Sequence, residues 1–342
     1  MIGAGMAGRG HIAAYSLLRD RVEVTSVVDI RQDVAEMAAK EAGGVKVLTD
    51  YKAALRSPET DAVDICAPNL FHEEMAVAAA EAGKHILCEK PMARTLAEAD
   101  RMIDAARRHS VKFMMAHNWL YFPCNRYLKS LVDEGFLGEV FHARTRIELW
   151  RPPLEWRRSM SALGGGCLIN DGVHQLYTLR WLLGDYKGVF ALLGNYAQRE
   201  MEGEDTASLL VQFKNGAIGE VTTTWACVLP ATPRPTPTIE LRGKESTVLA
   251  SPWEHRAKLY RRGQKTDAFE EWTAPSVQRD ALTTASAPNA WVATVRDEIR
   301  DFVECIVEDR EPPITAQDGR AVLQVILGAY ESAQRQSWVE LH

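Results

Sequence analysis

The 342-residue sequence is poor in cysteine, and its six thiols stand apart at Cys66, Cys88, Cys124, Cys167, Cys227 and Cys305, with no C-x-x-C pair. That scatter argues against a disulfide scaffold and a zinc site and suits a reduced, cytoplasmic protein with structural thiols. No apolar run reaches membrane-spanning length. No Lys/Arg run is present either, and the net charge is −6, so nucleic acid is not an expected partner. The opening residues lack the basic start and apolar block of a secretory leader. There are no internal repeats and no low-complexity segments.

What is present is ordinary globular material. Hydrophobic residues make up 46% and charged residues 25%, enough to bury a core without staples. The length suits about two domains. Strand-like and helix-like segments alternate up to about residue 118. Helical patterns cover 6–18, 34–42 and 71–82, and apolar strands cover 22–28, 62–67, 85–88 and 111–116. Thr95-Leu96-Ala97-Glu98 has the form of a capping box opening another helix. This alternation predicts an α/β domain with a doubly wound parallel sheet over residues 1–118.

From 119 to 342 the pattern changes to an α+β domain with a large, mostly antiparallel sheet. Strands are expected at 140–149, 188–198, 206–213, 217–226, 238–242 and 258–261. Lys214-Asn215-Gly216 is a hairpin turn, and helices at 292–307 and 319–336 close the chain. Residues 229–237 and 273–288 read as loops. Only Met1 and Ile2 precede the first glycine turn, whereas a central strand needs about five residues. The expectation is that residues belonging before Met1 are missing.

Gly3-Ala4-Gly5-Met6-Ala7-Gly8 is a G-x-G-x-x-G run opening a helix. Gly3 permits a tight turn, Gly5 lets backbone approach a pyrophosphate, and Gly8 lets helix pack on strand. With Met6 and Ala7, these residues present N–H donors at a helix N-terminus. Asp29 lies 21 residues beyond Gly8, at the end of the next strand. A carboxylate there accepts from ribose hydroxyls and repels a 2′-phosphate, which favours NAD. Arg31 could pair with a 2′-phosphate, so NADP stays open. Ala67, Pro68, Asn69 and His72 follow the third strand end, where ligands of open α/β sheets bind, and Glu89 and Lys90 follow the fourth.

These residues and several later ones resemble the Gfo/Idh/MocA oxidoreductases. The resemblance rests on the glycine run, Ala67-Pro68-Asn69-x-x-His72, Ala82-Gly83-Lys84-His85 and Glu89-Lys90-Pro91. It continues through Gly135-x-x-Gly138-Glu139-Val140, Trp156-Arg157, and Gly164-Gly165-Gly166 followed by His174. It implies a Rossmann domain, a C-terminal sheet domain that mediates homodimers or homotetramers, and an active site between them. It further implies hydride transfer between a nicotinamide cofactor and a hydroxyl carbon of a sugar, inositol or sugar derivative.

In that resemblance Lys90 is the catalytic lysine, able to stabilise charge on the reacting oxygen, and Glu89 contacts the nicotinamide ribose. His174 is the acid/base histidine. Placed in a first helical turn, it would feel the positive helix end, which favours its neutral form. Many relatives carry aspartate four residues before the histidine. This chain has Asn170 there and Asp171 one step later, and the choice between them stays open. Asn118, Trp156 and Arg157 are candidate cofactor contacts, and Tyr121, Arg157 and Tyr177 candidate substrate contacts. Two alternatives remain: an NAD-dependent glycosidase with tightly bound cofactor, and a non-enzymatic NAD-binding sugar sensor.

Overall fold

The computed structural model describes residues 1–228, 238–265, 268–274 and 290–342. The expected loop at 229–237 and most of that at 273–288 lie outside them. The chain forms two compact units. The first holds Met1–Asn118 and the described part of Gln278–Arg320. The second holds Trp119–Val277, as far as described, and Ala321–His342.

The first unit is built on short parallel strands: β1 (Ser26–Val28), β2 (Lys46–Leu48), β3 (Ala62–Ile65), β4 (His85–Glu89) and β5 (Phe113–Ala116). β1 pairs with β2, and β3–β4–β5 form a second ladder. Ile2 joins the two ladders by parallel bridges to Val28 and Ile65, giving the doubly wound order expected. The strand expected at 22–28 is ladder-paired only over β1. Its partner on the other side is the short Met1–Ile2 segment, which takes hydrogen bonds from Val28 and Cys66 and gives one to Asp64. A cavity of about 320 Å³ lies against Met1, Ile2, Ser26, Ala62, Asp64 and Phe302.

The helices of this unit include α1 (Met6–Tyr15), α2 (Gln32–Glu41), α3 (Tyr51–Leu55), α4 (His72–Glu81) and α5 (Leu96–Arg108). The capping box at α5 is half realised. Thr95 Oγ1 accepts from Glu98 N at 3.2 Å, but the Glu98 carboxylate turns to Arg94 N at 2.9 Å and to the Arg94 guanidinium. The charged partner one residue earlier wins, because a charge-assisted bond outweighs the reciprocal cap.

In the second unit, β6 (Val140–Glu148), β7 (Tyr186–Gly194), β8 (Thr206–Phe213), β9 (Ile218–Thr224), β10 (Thr238–Gly243), β11 (Ser246–Ser251), β12 (Arg256–Arg261), β13 (Glu270–Thr273) and β14 (Val339–Glu340) form one sheet. Its order is β13-β12-β11-β10-β6-β9-β8-β7-β14. Every pairing is antiparallel except β6 with β9. The hairpin at 214–216 joins β8 to β9, with Gly216 at φ 93°, a left-handed conformation that glycine adopts without strain. Against this sheet lie α6 (Pro123–Asp133) and α8 (Val173–Leu183), while the short α7 (Met160–Leu163) packs on the helical turn at Glu155–Arg158.

Two long helices end the chain, α9 (Ala290–Val307) and α10 (Ala316–Arg335). α9, which the sequence pattern grouped with the second domain, packs on α1 instead. A Cβ on Gly10 would lie 1.8 Å from the Trp291 ring. Glycine at that point in α1 is what admits the indole.

Candidate cofactor and active-site residues

In the first unit the glycine loop does several separate jobs. Gly3 has φ 90°, and a Cβ there would meet Cys66 O at 2.6 Å; a Cβ on Gly8 would meet Gly3 O at 2.0 Å. Both glycines are therefore demanded by the fold itself. Gly5 differs: a Cβ there meets nothing within 4 Å. The fold leaves open space at Gly5, beside the N-terminus of α1 that Met6 and Ala7 begin. Asp29 ties the loop to β1. One of its oxygens accepts from Ala4 N at 2.9 Å and the other from Arg31 N at 3.0 Å. A carboxylate has about four lone-pair sites, so it keeps acceptors for two ribose hydroxyls. This cradle fits a dinucleotide. Arg31 is exposed.

The strand ends carry the remaining candidates of this unit. Ala67 and Pro68 lead from β3 into a short turn through Asn69, which is buried. His72 opens α4 and is buried too. Its Nε2 lies 2.8 Å from Ala67 O and its Nδ1 lies 3.0 Å from Pro91 O. The ring is committed to bracing the turn after Lys90 and offers no free nitrogen to a ligand. Burial, partly offset by the Ala67 carbonyl, lowers its pKa. Glu89 ends β4, and its carboxylate accepts from Lys90 N at 3.0 Å. The Lys90–Pro91 peptide bond is cis, and Lys90 itself is half-buried. Asn118 follows β5 and donates from Nδ2 to Thr294 Oγ1 at 2.8 Å.

The sequence reading passed over His11, on α1 three residues after Gly8. It is fully buried, with Nδ1 2.8 Å from Asp64 and Nε2 3.2 Å from Glu89. A histidine on the sheet-facing side of α1, amid Gly8, Gly10, Ile12 and Ala14, was the available signal. His11, Asp64 and Cys66 bring ligand-type atoms within 4.8 Å of one another. Burial, helped by the Asp64 charge, pushes the Cys66 thiol up to about 12, so it stays protonated in this hydrogen-bonded cluster.

In the second unit the triple glycine is packed tightly. A Cβ on Gly165 would meet the Tyr330 hydroxyl, and one on Gly166 the Glu204 backbone, each at 1.9 Å. Glu204 closes over this strap, its carboxylate accepting from Leu168 N at 2.9 Å and from the Tyr330 hydroxyl at 3.2 Å. The chain then enters a π-turn, Leu168–Gly172, that runs straight into α8. The expectation that His174 sits in a first helical turn is thus corrected. Helical backbone begins at least a turn earlier, with Asn170 N on Gly166 O, and the dipole argument loses its force because the effect fades within one turn. What His174 has instead is Trp119, stacked at 4.7 Å between ring centroids and 10° between planes.

Asp171 is fully engaged. Its oxygens accept from Arg151 Nη1 at 2.9 Å, Trp225 Nε1 at 2.7 Å and Asn170 Nδ2 at 2.8 Å. With its amide donating to Asp171, Asn170 has its carbonyl oxygen as its acceptor. Tyr177 is buried on α8, and Tyr121 is buried with Arg126 4.9 Å above its ring. Trp156 and Arg157 form a short helical turn before α7, the guanidinium 5.2 Å from the indole. Trp119, Arg151 and Trp225 were not singled out from the sequence. No local pattern marks them, because their partners lie 20 to 55 residues away along the chain.

Comparison with known proteins shows the family and the fold. The family described as "Oxidoreductase family, NAD-binding Rossmann fold" matches residues 1–117, and its "C-terminal alpha/beta domain" matches 129–341. Levoglucosan dehydrogenase of Pseudarthrobacter phenanthrenivorans is 29% identical, over 100% of this chain and 97% of the relative. D-xylose 1-dehydrogenase [NADP(+)] of Haloarcula marismortui is 29% identical over 94% and 87%. A solved levoglucosan dehydrogenase, in complex with NADH and levoglucosan, superposes with a TM-score of 0.88 at 26% identity, covering 99% of this chain and 98% of that one.

Proposed function

The chain belongs to the Gfo/Idh/MocA oxidoreductase family, and from that premise we propose that it is an NAD-dependent dehydrogenase of a sugar or related polyol. The observation that carries the cofactor assignment is the Asp29 carboxylate, clasped to the glycine loop at Ala4 with acceptors to spare. Full-length similarity to two sugar dehydrogenases supports the substrate class. NADP use stays open through exposed Arg31.

The nicotinamide, when bound, accepts the hydride. The protein's own part is position and charge. Gly3, Gly5 and Gly8 shape the phosphate loop, Asp29 holds the adenosine ribose, and Glu89 the nicotinamide ribose. His174 takes the hydroxyl proton, and the Lys90 ammonium hydrogen-bonds the oxygen as charge develops there. Asn170 accepts from a substrate hydroxyl through its carbonyl oxygen. Asp171, saturated by Arg151, Trp225 and Asn170, orients that amide and does not serve as the base. Tyr121, Trp156, Arg157, Tyr177 and Asn118 complete the binding surfaces.

A cytoplasmic homo-oligomer fits the surface. Among the described residues no helix is long and apolar enough to cross a membrane. One face of the sheet exposes Leu192, Leu210 and Ile218, apolar surface that a second copy of the chain could cover.

The test is reduction of NAD and of NADP, run separately, across sugars, anhydrosugars, inositols and sugar acids, with Lys90→Ala and His174→Ala in parallel. Turnover with one substrate class, lost in both variants, is expected. NAD binding without turnover on any substrate would overturn the dehydrogenase reading.

A further inference from the structure

We propose that His11 is a positioning residue that holds Glu89, and through it Lys90, in register with the glycine loop. This inference rests on the dehydrogenase reading for the roles of Glu89 and Lys90. The geometry stands without it.

His11 lies on α1, whose N-terminus forms the phosphate loop. Both of its ring nitrogens face carboxylates, Asp64 on β3 and Glu89 at the end of β4. A neutral imidazole has one donor and one acceptor nitrogen, and an acceptor nitrogen against a carboxylate is repulsive. Only the imidazolium, with two donors, satisfies both contacts. The surroundings agree. Burial opposes a charge on His11, but the Asp64 charge and its hydrogen bond outweigh burial and raise the ring well above its ordinary value. Burial likewise opposes ionisation of Asp64 and Glu89, and contact with His11 lowers both. The other groups facing this centre are Cys66, the Tyr15 hydroxyl on Asp64, the buried Met1 ammonium, Lys90 beside Glu89, and Glu298 on α9. Burial pushes Glu298 well up, so it adds no second uncompensated anion.

One ring therefore ties three elements together: the helix of the glycine loop, the β3 end and the β4 end. Glu89 receives the imidazolium on Oε1 and the Lys90 amide on Oε2. It thus links His11 to Lys90. Removing the imidazolium frees Glu89 to rotate, and the bond it accepts from the Lys90 amide is loosened. A displacement of about 1 Å at a reacting group costs on the order of a hundredfold in rate.

Two conservative variants separate this role from packing. In His11→Asn the shorter amide can still donate toward Asp64 but cannot reach Glu89. In His11→Gln the longer amide can donate to Glu89. The expected result is a kcat loss of roughly ten- to a hundredfold in His11→Asn, largely recovered in His11→Gln, at similar melting temperatures. A double-mutant cycle with Glu89→Gln closes the test: if His11 acts through Glu89, His11→Asn costs little further in that background. Activity losses that follow melting temperature in both variants, or that add independently to Glu89→Gln, would overturn the inference. If the wild-type protein reduces neither cofactor, the dehydrogenase reading fails by itself. The same cycle, measured as NAD affinity, then decides on His11: an affinity unchanged in His11→Asn refutes its positioning role.

Discussion

The glycine loop of the first unit is built from residues close in sequence and mostly from backbone; the turn before α8 in the second unit is held by side chains gathered across more than a hundred residues. At the glycine loop, Gly3 and Gly8 are fixed by main-chain contacts, and Asp29 reaches Ala4 N one strand away. Along the turn that leads to His174, Trp119 stacks on the histidine itself, Arg151 and Trp225 donate to Asp171, and Glu204 accepts from Leu168 N. The difference teaches where a motif carries its own geometry. A turn that needs positive φ and N–H donors is written locally. A histidine's surroundings are not.

Substitutions can break this contrast, and the largest effect is expected at the reacting groups. Lys90→Ala should lower kcat by about 10² to 10³, the scale for removing one positioned donor to a developing oxyanion, with little change in melting temperature. Steady-state kinetics beside thermal melts check this.

Within the glycine loop the contrast sharpens. Gly8→Ala should destabilise the apoprotein by about 1–3 kcal/mol, since its Cβ has nowhere to go. Gly5→Ala should leave the apoprotein melt unchanged, because space there is open, and should weaken NAD. Melting with and without NAD separates the two, and equal apo stabilities would break the distinction.

In the second unit, Trp225→Phe removes a buried donor to Asp171. A loss of about 1–3 kcal/mol is expected, together with a raised KM for substrate as Asn170 loses its orientation. Denaturant titration and kinetics read the two effects.

The last contrast is a pH dependence, and it sets two neighbouring carboxyls apart. Asp205 accepts from Tyr196, Ala197 and Gln198 backbone N–H groups and from Thr206, and these overcome burial to lower its pKa. Glu204 has fewer donors, and burial raises it from 4.5 to about 7. A carboxyl raised on folding stabilises the native state fully below about pH 4.5. That contribution fades as pH climbs to about 7, by up to roughly 3 kcal/mol. Glu204→Gln should flatten the fall in melting temperature between pH 5 and 8; an unchanged slope would assign the dependence elsewhere.

Strand and helix alternation was legible because buried parallel strands read as apolar runs and helices carry their own period. β8 matches its expected bounds, and the hairpin follows from Asn215-Gly216. β2, α3, β11 and α6 were not picked out. Three to eleven residues of mixed character give no periodic signal strong enough to read. Lys90 and His174 are proposed through motif resemblance. The half-formed box at α5 shows a local rule overruled by a neighbouring charge, Arg94.

By itself the sequence determined the α/β class, the glycine turn, its acidic partner at Asp29 and the oxidoreductase family, because each depends on short-range backbone requirements or on residue order. Only tertiary structure decided that His72 braces a turn, that His11 bridges Asp64 and Glu89, that Asp171 is saturated by Arg151 and Trp225, and that helical backbone starts before His174. Those outcomes turn on which donors and acceptors meet when water is excluded, and that depends on distances no linear pattern encodes.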